Sequence, residues 1–426
     1  MKHTIREYVF WVFDFLKGSG IRKNYKDIVS KSDKEYNSIN DLNNILEYAI
    51  KNVPFYSDIK EVKLEKFPVM NKVTLKEQGE NCISIEYKDK MNKLYKASTS
   101  GSTGTPLVVY QDMNKKNRCR ADLIRAHELI NWKLGDKYIF IRNWSPNYKQ
   151  SIIRKFAQNV IPVGIASFND EKKEWLCKYL LKHKNCVIFG YSSSICDFMN
   201  YIKRKGVDAK KFEIKLIVCD SDELSKNNKK LLKDLFKCNI INRYDNEENG
   251  LIAISKPESD TLYVNNQSLI VELLEPSCDK RVKVGELGRV VITDLYNKAM
   301  PLIRYDTGDY AISNDTPNNI KTIKYFAGRK ADALKSTKGV LISSVAISGI
   351  IEVFYGINKY QMIQNSEKSY ELCYTGMLLE KEKRNIDDRL RACLGEDAVI
   401  KYSCKKELLP SKNGKFKTII NKCERQ

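Results

Sequence analysis

Between residues 138 and 242 short apolar runs alternate with longer stretches of helical spacing, and that rhythm narrows the possible folds more than any other feature of the chain. The runs fall at 138–142, 187–189, 215–218 and 240–242, separated by stretches such as 172–182 and 226–236. A strand reaches a parallel neighbour only through a long crossover, usually a helix, so this order predicts α/β architecture with a partly parallel sheet. Short, turn-bounded runs at 271–275, 289–293 and 303–305 predict antiparallel strands that close the same domain. Upstream, Leu42, Ile45, Leu46, Ala49, Ile50 and Val53 recur at helical spacing over 40–53, and Pro54 marks the end of that helix. Near residue 330 the pattern changes to a mixed helix and strand segment of about a hundred residues, enough for a small domain. The expected division is a large multi-sheet domain at 1–330 and a small α+β domain at 331–426.

The 426 residues exceed what one simple core usually holds, at roughly 100–200 residues per domain. Apolar residues at 42% and charged residues at 30% are an ordinary globular balance. Lys and Arg outnumber Asp and Glu by 74 to 53, which gives a formal +21. That excess suits polyanions, but the lysines are scattered without a basic stripe or an aromatic RNA-binding signature, so no specific nucleic-acid partner is expected. Twelve dispersed cysteines without a Cys-x-x-Cys pair, and three histidines, support neither a zinc module nor a haem site. Free thiols without a secretory signal point to the cytoplasm. The aromatic run from Tyr8 to Phe13, flanked by Lys2, Arg6, Lys17, Arg22 and Lys23, is far short of the ~20 residues that span a bilayer. It leaves two readings open, a peripheral membrane contact and docking against the protein's own body.

Four stretches carry candidate chemistry. Ser98-Thr99-Ser100-Gly101-Ser102-Thr103-Gly104-Thr105-Pro106 packs hydroxyls and glycines into a loop able to wrap phosphate oxygens, although no Gly-Lys-Ser/Thr makes it a Walker loop. Pro301-Leu302-Ile303-Arg304-Tyr305-Asp306-Thr307-Gly308-Asp309 reads as a strand that ends in Thr-Gly-Asp. Asp309 then sits at a turn, suited to accept hydrogen bonds from two vicinal hydroxyls. Gly328-Arg329-Lys330-Ala331-Asp332 lies at the expected domain boundary. Leu409-Pro410-Ser411-Lys412-Asn413-Gly414-Lys415 presents a lysine on a glycine-made turn, able to swing in and neutralise developing negative charge. Each has a plainer reading alone, as linker, strand end, basic turn or solvated lysine.

Taken together and in this order, the stretches resemble the adenylate-forming superfamily of acyl-CoA synthetases and peptide-synthetase adenylation domains. The likeness is closest to the phenylacetate–CoA ligase branch with its CapK-type relatives in capsular polysaccharide biosynthesis. Val53-Pro54-Phe55-Tyr56, Phe67-Pro68-Val69-Met70-Asn71-Lys72 and Gly285-Glu286-Leu287-Gly288 are similar to that branch's motifs. Phe189-Gly190-Tyr191-Ser192-Ser193, Asp220-Ser221-Asp222-Glu223 and Tyr244-Asp245-Asn246-Glu247-Glu248 match more loosely. The resemblance implies a large adenylation domain with a small mobile C-terminal lid, acting as a ligase with ATP, Mg²⁺ and coenzyme A. It implies that Ser98, Thr99, Ser100, Gly101, Ser102, Thr103 and Gly104 hold the phosphates, with Glu223, Tyr244, Asp309 and Arg329 completing the nucleotide site. Tyr244 would pack on adenine, Asp309 would bind the ribose, Glu248 would place Mg²⁺, and Tyr191, Ser193 and Asp245 would line the acyl pocket. Asp332 would be the hinge and Lys415 the catalytic lysine of the lid.

Two departures stand out. Asp245 replaces the family's glycine, which suggests a pairing with an amine on the acid. Leu262-Tyr263-Val264 lacks the His that related ligases place in a metal cluster, so no zinc is expected. The expected substrate is a small carboxylic acid, activated as an acyl-adenylate and passed to coenzyme A or to an amine or hydroxyl of a cell-surface glycan. The alternative is a catalytically degenerate nucleotide- or glycan-binding protein of the same fold.

Overall fold

The computed structural model describes residues 5–32, 36–98, 107–144, 152–220, 224, 226–329, 334–342, 344–351, 354, 356–408 and 417–423. The chain divides into two compact units, each gathering sequence-distant stretches. The first takes Met1–Tyr138, Lys149–Val160 and Ile241–Tyr325, and the second Ile139–Tyr148, Ile161–Ile240 and Phe326–Gln426.

In the first unit the expected helix is present as Ile39–Asn52, and its predicted apolar stripe is the buried one. Val53 leaves the helix in extended conformation and Pro54 opens a short 3₁₀ turn, as a residue that cannot donate a backbone hydrogen bond should. Leu42, Ile45, Leu46 and Ala49 pack with Tyr56, Phe67, Met70 and Tyr305 in one core. Antiparallel strands Leu269–Leu274, Leu287–Asp294 and Tyr305–Ile312 stand in sequence order. A second antiparallel set joins Asn239–Asn246, Gly250–Ser255, Leu262–Val264 and Thr322–Ile323.

The Pro301–Asp309 stretch differs from its sequence reading. Residues 303–304 are not strand; the strand begins at Tyr305 and runs to Ile312, so Thr-Gly-Asp lies inside it and not at a terminal turn. Arg304 has φ +52, a left-handed conformation that breaks the extended backbone just before the strand. Gly308, at φ +77, absorbs a bulge: Val291 pairs with Asp306 while Arg289 pairs with Tyr310. A side chain at position 308 would be strained there, so the glycine of Thr-Gly-Asp has a backbone reason to be glycine.

In the second unit, strands Val187–Tyr191 and Leu216–Asp220 pair in parallel, as the alternation predicts. Helices Asp170–Lys182, Ser192–Lys205 and Lys226–Phe236 carry Leu176, Leu180, Phe198, Ile202, Leu232 and Phe236 into the core with these strands. Gly190 is needed for close approach, because a Cβ there would meet the Ile141 carbonyl oxygen at 2.4 Å. The C-terminal stretch of this unit has a core of its own. Strands Ile357–Gln364, Ser369–Gly376, Val399–Cys404 and Ile419–Asn421 form a mixed four-stranded sheet, onto which helix Glu380–Leu394 buries Ile386, Leu390 and Leu394.

Candidate active site

Tyr305 and Thr307 alternate onto one face of Tyr305–Ile312, and past the Gly308 bulge Asp309 turns to the same Tyr244 hydroxyl as Thr307; all three are buried. That face meets the chain around Tyr244. The Tyr244 hydroxyl donates to Asp309 Oδ2 at 2.6 Å and lies 3.4 Å from Thr307 Oγ1. Thr307 donates to the Val290 carbonyl at 3.0 Å and accepts from the Asp309 backbone N–H at 3.1 Å. Asp309 is therefore oriented through its own backbone and through Tyr244, and is 6% exposed. The opposite face carries Asp306, whose carboxylate meets Arg289 at 2.6 Å.

The turn after strand Asn239–Asn246 places Glu248, 3% exposed, beside the same strand face. Tyr305 donates to Glu248 Oε1 at 2.9 Å, and the Lys72 ammonium stands 3.3 Å from that oxygen. Lys72 arrives there because Met70 bridges the Tyr305 strand. The Met70 N–H donates to the Arg304 carbonyl at 3.0 Å and the Asp306 N–H to the Met70 carbonyl at 2.7 Å. Asn71 then caps helix Lys72–Gln78, accepting from the Val73 and Thr74 N–H groups.

The strands that flank the hydroxyl-rich stretch reach this turn. Strands Tyr95–Ser98 and Val108–Gln111 pair Ser98 with Val108 and Tyr95 with Gln111, so one ladder holds both ends of the connection. Gln111 donates to the carbonyls of Glu248 and Glu247, at 3.2 and 3.4 Å. One helix turn on, buried Lys115 donates to the Asn249 carbonyl at 2.8 Å and stands 2.6 Å from Asp294. Burial penalises the Lys115 ammonium most, but Asp294, together with Cys119 and Asp122 nearby, more than offsets it and raises the lysine above its ordinary range.

A divalent cation fits this arrangement in a limited way. Among the described residues no group of three or more His, Cys, Asp or Glu could hold a metal. Glu248 offers one carboxylate with Oε1 held by Tyr305 and Lys72. That is the donor set of an ion such as Mg²⁺, which takes one or two carboxylates and draws its other ligands from water and substrate phosphates.

A model of the CapK C-terminal domain matches residues 334–422. Protein CapK of Staphylococcus aureus is 24% identical over 401 residues, covering 88% of this chain and 86% of its own. Phenylacetate-coenzyme A ligase of Pseudomonas putida is 22% identical over 307 residues, covering 68% of this chain and 69% of its own. The crystal structure of 2-hydroxyisobutyryl-CoA ligase in the postadenylation state, in complex with R3-HIB-AMP, superposes with a TM-score of 0.71 at 16% identity, over 91% of this chain and 88% of that one. The chain is thus similar to CapK and to phenylacetate-coenzyme A ligase over most of its length, and it shares the fold of an acyl-CoA ligase. Its architecture is the α/β, several-sheet fold of that ligase.

The predicted residues divide into those brought together, those set apart and those outside the described residues. Tyr244, Glu248 and Asp309 come together within the first unit. Asp245 lies beside them, its carboxylate 2.6 Å from the Arg243 guanidinium, so an amine on a substrate would compete with an internal cation. Tyr191 and Ser193 belong to the second unit, at the end of one strand and in the first turn of the following helix. Ser98 closes its strand and Arg329 ends strand Tyr325–Arg329. Thr99, Ser100, Gly101, Ser102, Thr103, Gly104, Glu223, Asp332 and Lys415 lie outside the described residues. Sequence reasoning missed Lys72, Tyr305 and Thr307 as members of the site. Each stood inside a quoted motif, and period-two spacing from Asp309 was the signal that could have found Thr307 and Tyr305.

Proposed function

We propose that this protein uses ATP to activate a small carboxylic acid. The acid's carboxylate oxygen attacks the α-phosphorus, the bond to pyrophosphate breaks, and an acyl-adenylate forms. The acyl group then passes to an acceptor, whose thiol, amine or hydroxyl displaces AMP. The reading rests on one observation above all: Asp309, on the Thr-Gly-Asp strand, is buried and oriented by Tyr244 with Glu248 on the same strand face.

In this reading Asp309 takes the ribose hydroxyls and Tyr244 packs on adenine, with Glu223 and Arg329 completing the nucleotide site. The loop from Ser98 through Gly104 wraps the phosphates. Glu248 holds Mg²⁺, which when bound neutralises phosphate charge. Tyr191, Ser193 and Asp245 shape the acyl pocket. Residues 331–426 form the lid, with Asp332 as hinge, and Lys415 neutralises charge that develops in the transition state. Coenzyme A is the acceptor suggested by the two ligases the chain resembles, and an amine or hydroxyl in cell-surface polysaccharide synthesis is the one suggested by the CapK likeness. We place this activity in the cytoplasm.

One observation favours a second reading, nucleotide binding without turnover: Lys72 stands at Glu248, where a metal would sit. ATP–pyrophosphate exchange against pooled aryl, fatty, amino and sugar acids separates the two. Adenylation predicts exchange with one pool, and a loss of roughly a hundredfold or more in Lys415→Ala. ATP binding by calorimetry with no exchange from any pool would support the second reading, and no ATP binding would overturn both.

A further inference from the structure

The first helix, Ile5–Leu16, divides its apolar residues between two directions. Phe10 and Trp11 turn inward, packing with Ile21, Tyr25 and Ile124. Ile5, Tyr8, Val12, Phe15 and Leu16 turn outward and are 74%, 60%, 55%, 70% and 72% exposed. At 3.6 residues per turn these five fall within an arc of roughly 100°, and half-buried Val9 and Phe13 widen it. The helix's two acids, Glu7 and Asp14, lie on the opposite side.

The face is held rigidly in place. Asp14 is buried and accepts from the N–H groups of Ile21 and Arg22, at 3.0 and 2.8 Å, capping the next helix, Gly20–Ser32. Arg6 reaches the Phe156 carbonyl and stacks over the Phe156 ring. Cations stand close by in the chain: Lys17 follows the helix directly, and Arg22, Lys23 and Lys26 are exposed on the next.

We propose that this face is the contact with an anionic phospholipid membrane, the helix lying in the headgroup plane with its apolar arc toward the acyl chains. An amphipathic helix with large apolar side chains on one side and flanking Lys and Arg is what binds such an interface. Among the described residues no helix is long and apolar enough to cross a membrane, and the twelve residues of this one reach about 18 Å against about 30 Å of hydrocarbon. A second copy of the chain fits less well. A two-fold interface would bring two copies of the same Lys and Arg excess together, whereas anionic headgroups complement it. This inference stands apart from the adenylation reading and survives if that reading fails.

Vesicle co-sedimentation of the full chain tests it. Wild type binds vesicles containing phosphatidylglycerol, binds pure phosphatidylcholine far more weakly, and is released by high salt. Val12→Asp/Phe15→Asp abolishes binding, and each of Lys17→Gln and Lys23→Gln weakens it about fivefold. All four residues are exposed, so circular dichroism and ATP binding stay as in wild type; Leu16→Ser is the milder substitute should the double variant fail to fold. No binding to phosphatidylglycerol vesicles, or binding that survives Val12→Asp/Phe15→Asp, overturns the proposal. So does a dimer in solution that this variant dissolves, which would assign the face to a second copy.

Discussion

Glu248 is a buried carboxylate answered by one cation and one hydroxyl, and the cation comes from far away in the sequence. Lys72 is partly exposed and can withdraw, whereas Tyr305 cannot. If Lys72 competes with Mg²⁺ for that carboxylate, Lys72→Met lowers the Mg²⁺ concentration for half-maximal ATP binding by about fivefold, the scale of a partly exposed pair. Titrating Mg²⁺ at fixed ATP checks this, and a rise in that concentration would mean that Lys72 assists the nucleotide. At this scale Asp309 and Tyr244 were legible because each sits in a short motif with a chemical reason for its residue type. The hydrogen bond between them was not legible, nor was the approach of Lys72 to Glu248. Both depend on strands brought together by long-range packing, which no local spacing encodes.

Among the elements, helix Met113–Leu129 does more than fill space. Its Lys115 ties the Asn249 carbonyl to Asp294, so a buried ion pair fixes the turn that carries Glu248. Removing one partner strands the other charge in the interior. Lys115→Met is therefore expected to cost about 3–5 kcal/mol in chemical denaturation, and Lys115→Met/Asp294→Leu markedly less. Elements were legible where periodicity and breakers agreed, as in Ile39–Asn52 with Pro54 beyond it. They were misread where backbone conformation decided the outcome. The left-handed Arg304 delays the strand and the Gly308 bulge prolongs it, and neither leaves a periodic trace.

For the molecule as a whole, the α/β class followed from the alternation of strand and helix, but the grouping of residues 161–240 with 326–426 in one compact unit did not. Contiguous stretches invite contiguous domains, whereas contacts form without regard to chain order. The C-terminal stretch still closes a core among its own residues, Leu334 through Ile419. A fragment of 334–426 is expected to fold alone and to melt cooperatively by circular dichroism; a featureless melt would show that it needs the rest of the chain. The ladder that pairs Ser98 with Val108 has a further consequence, for how this protein can change over time. Because the same ladder pairs Tyr95 with Gln111, and Gln111 donates to the Glu248 carbonyl, a substitution along Tyr95–Ser98 that weakens the pairing is felt at the Glu248 turn. What can vary in those two strands is thereby tied to what the Glu248 turn tolerates.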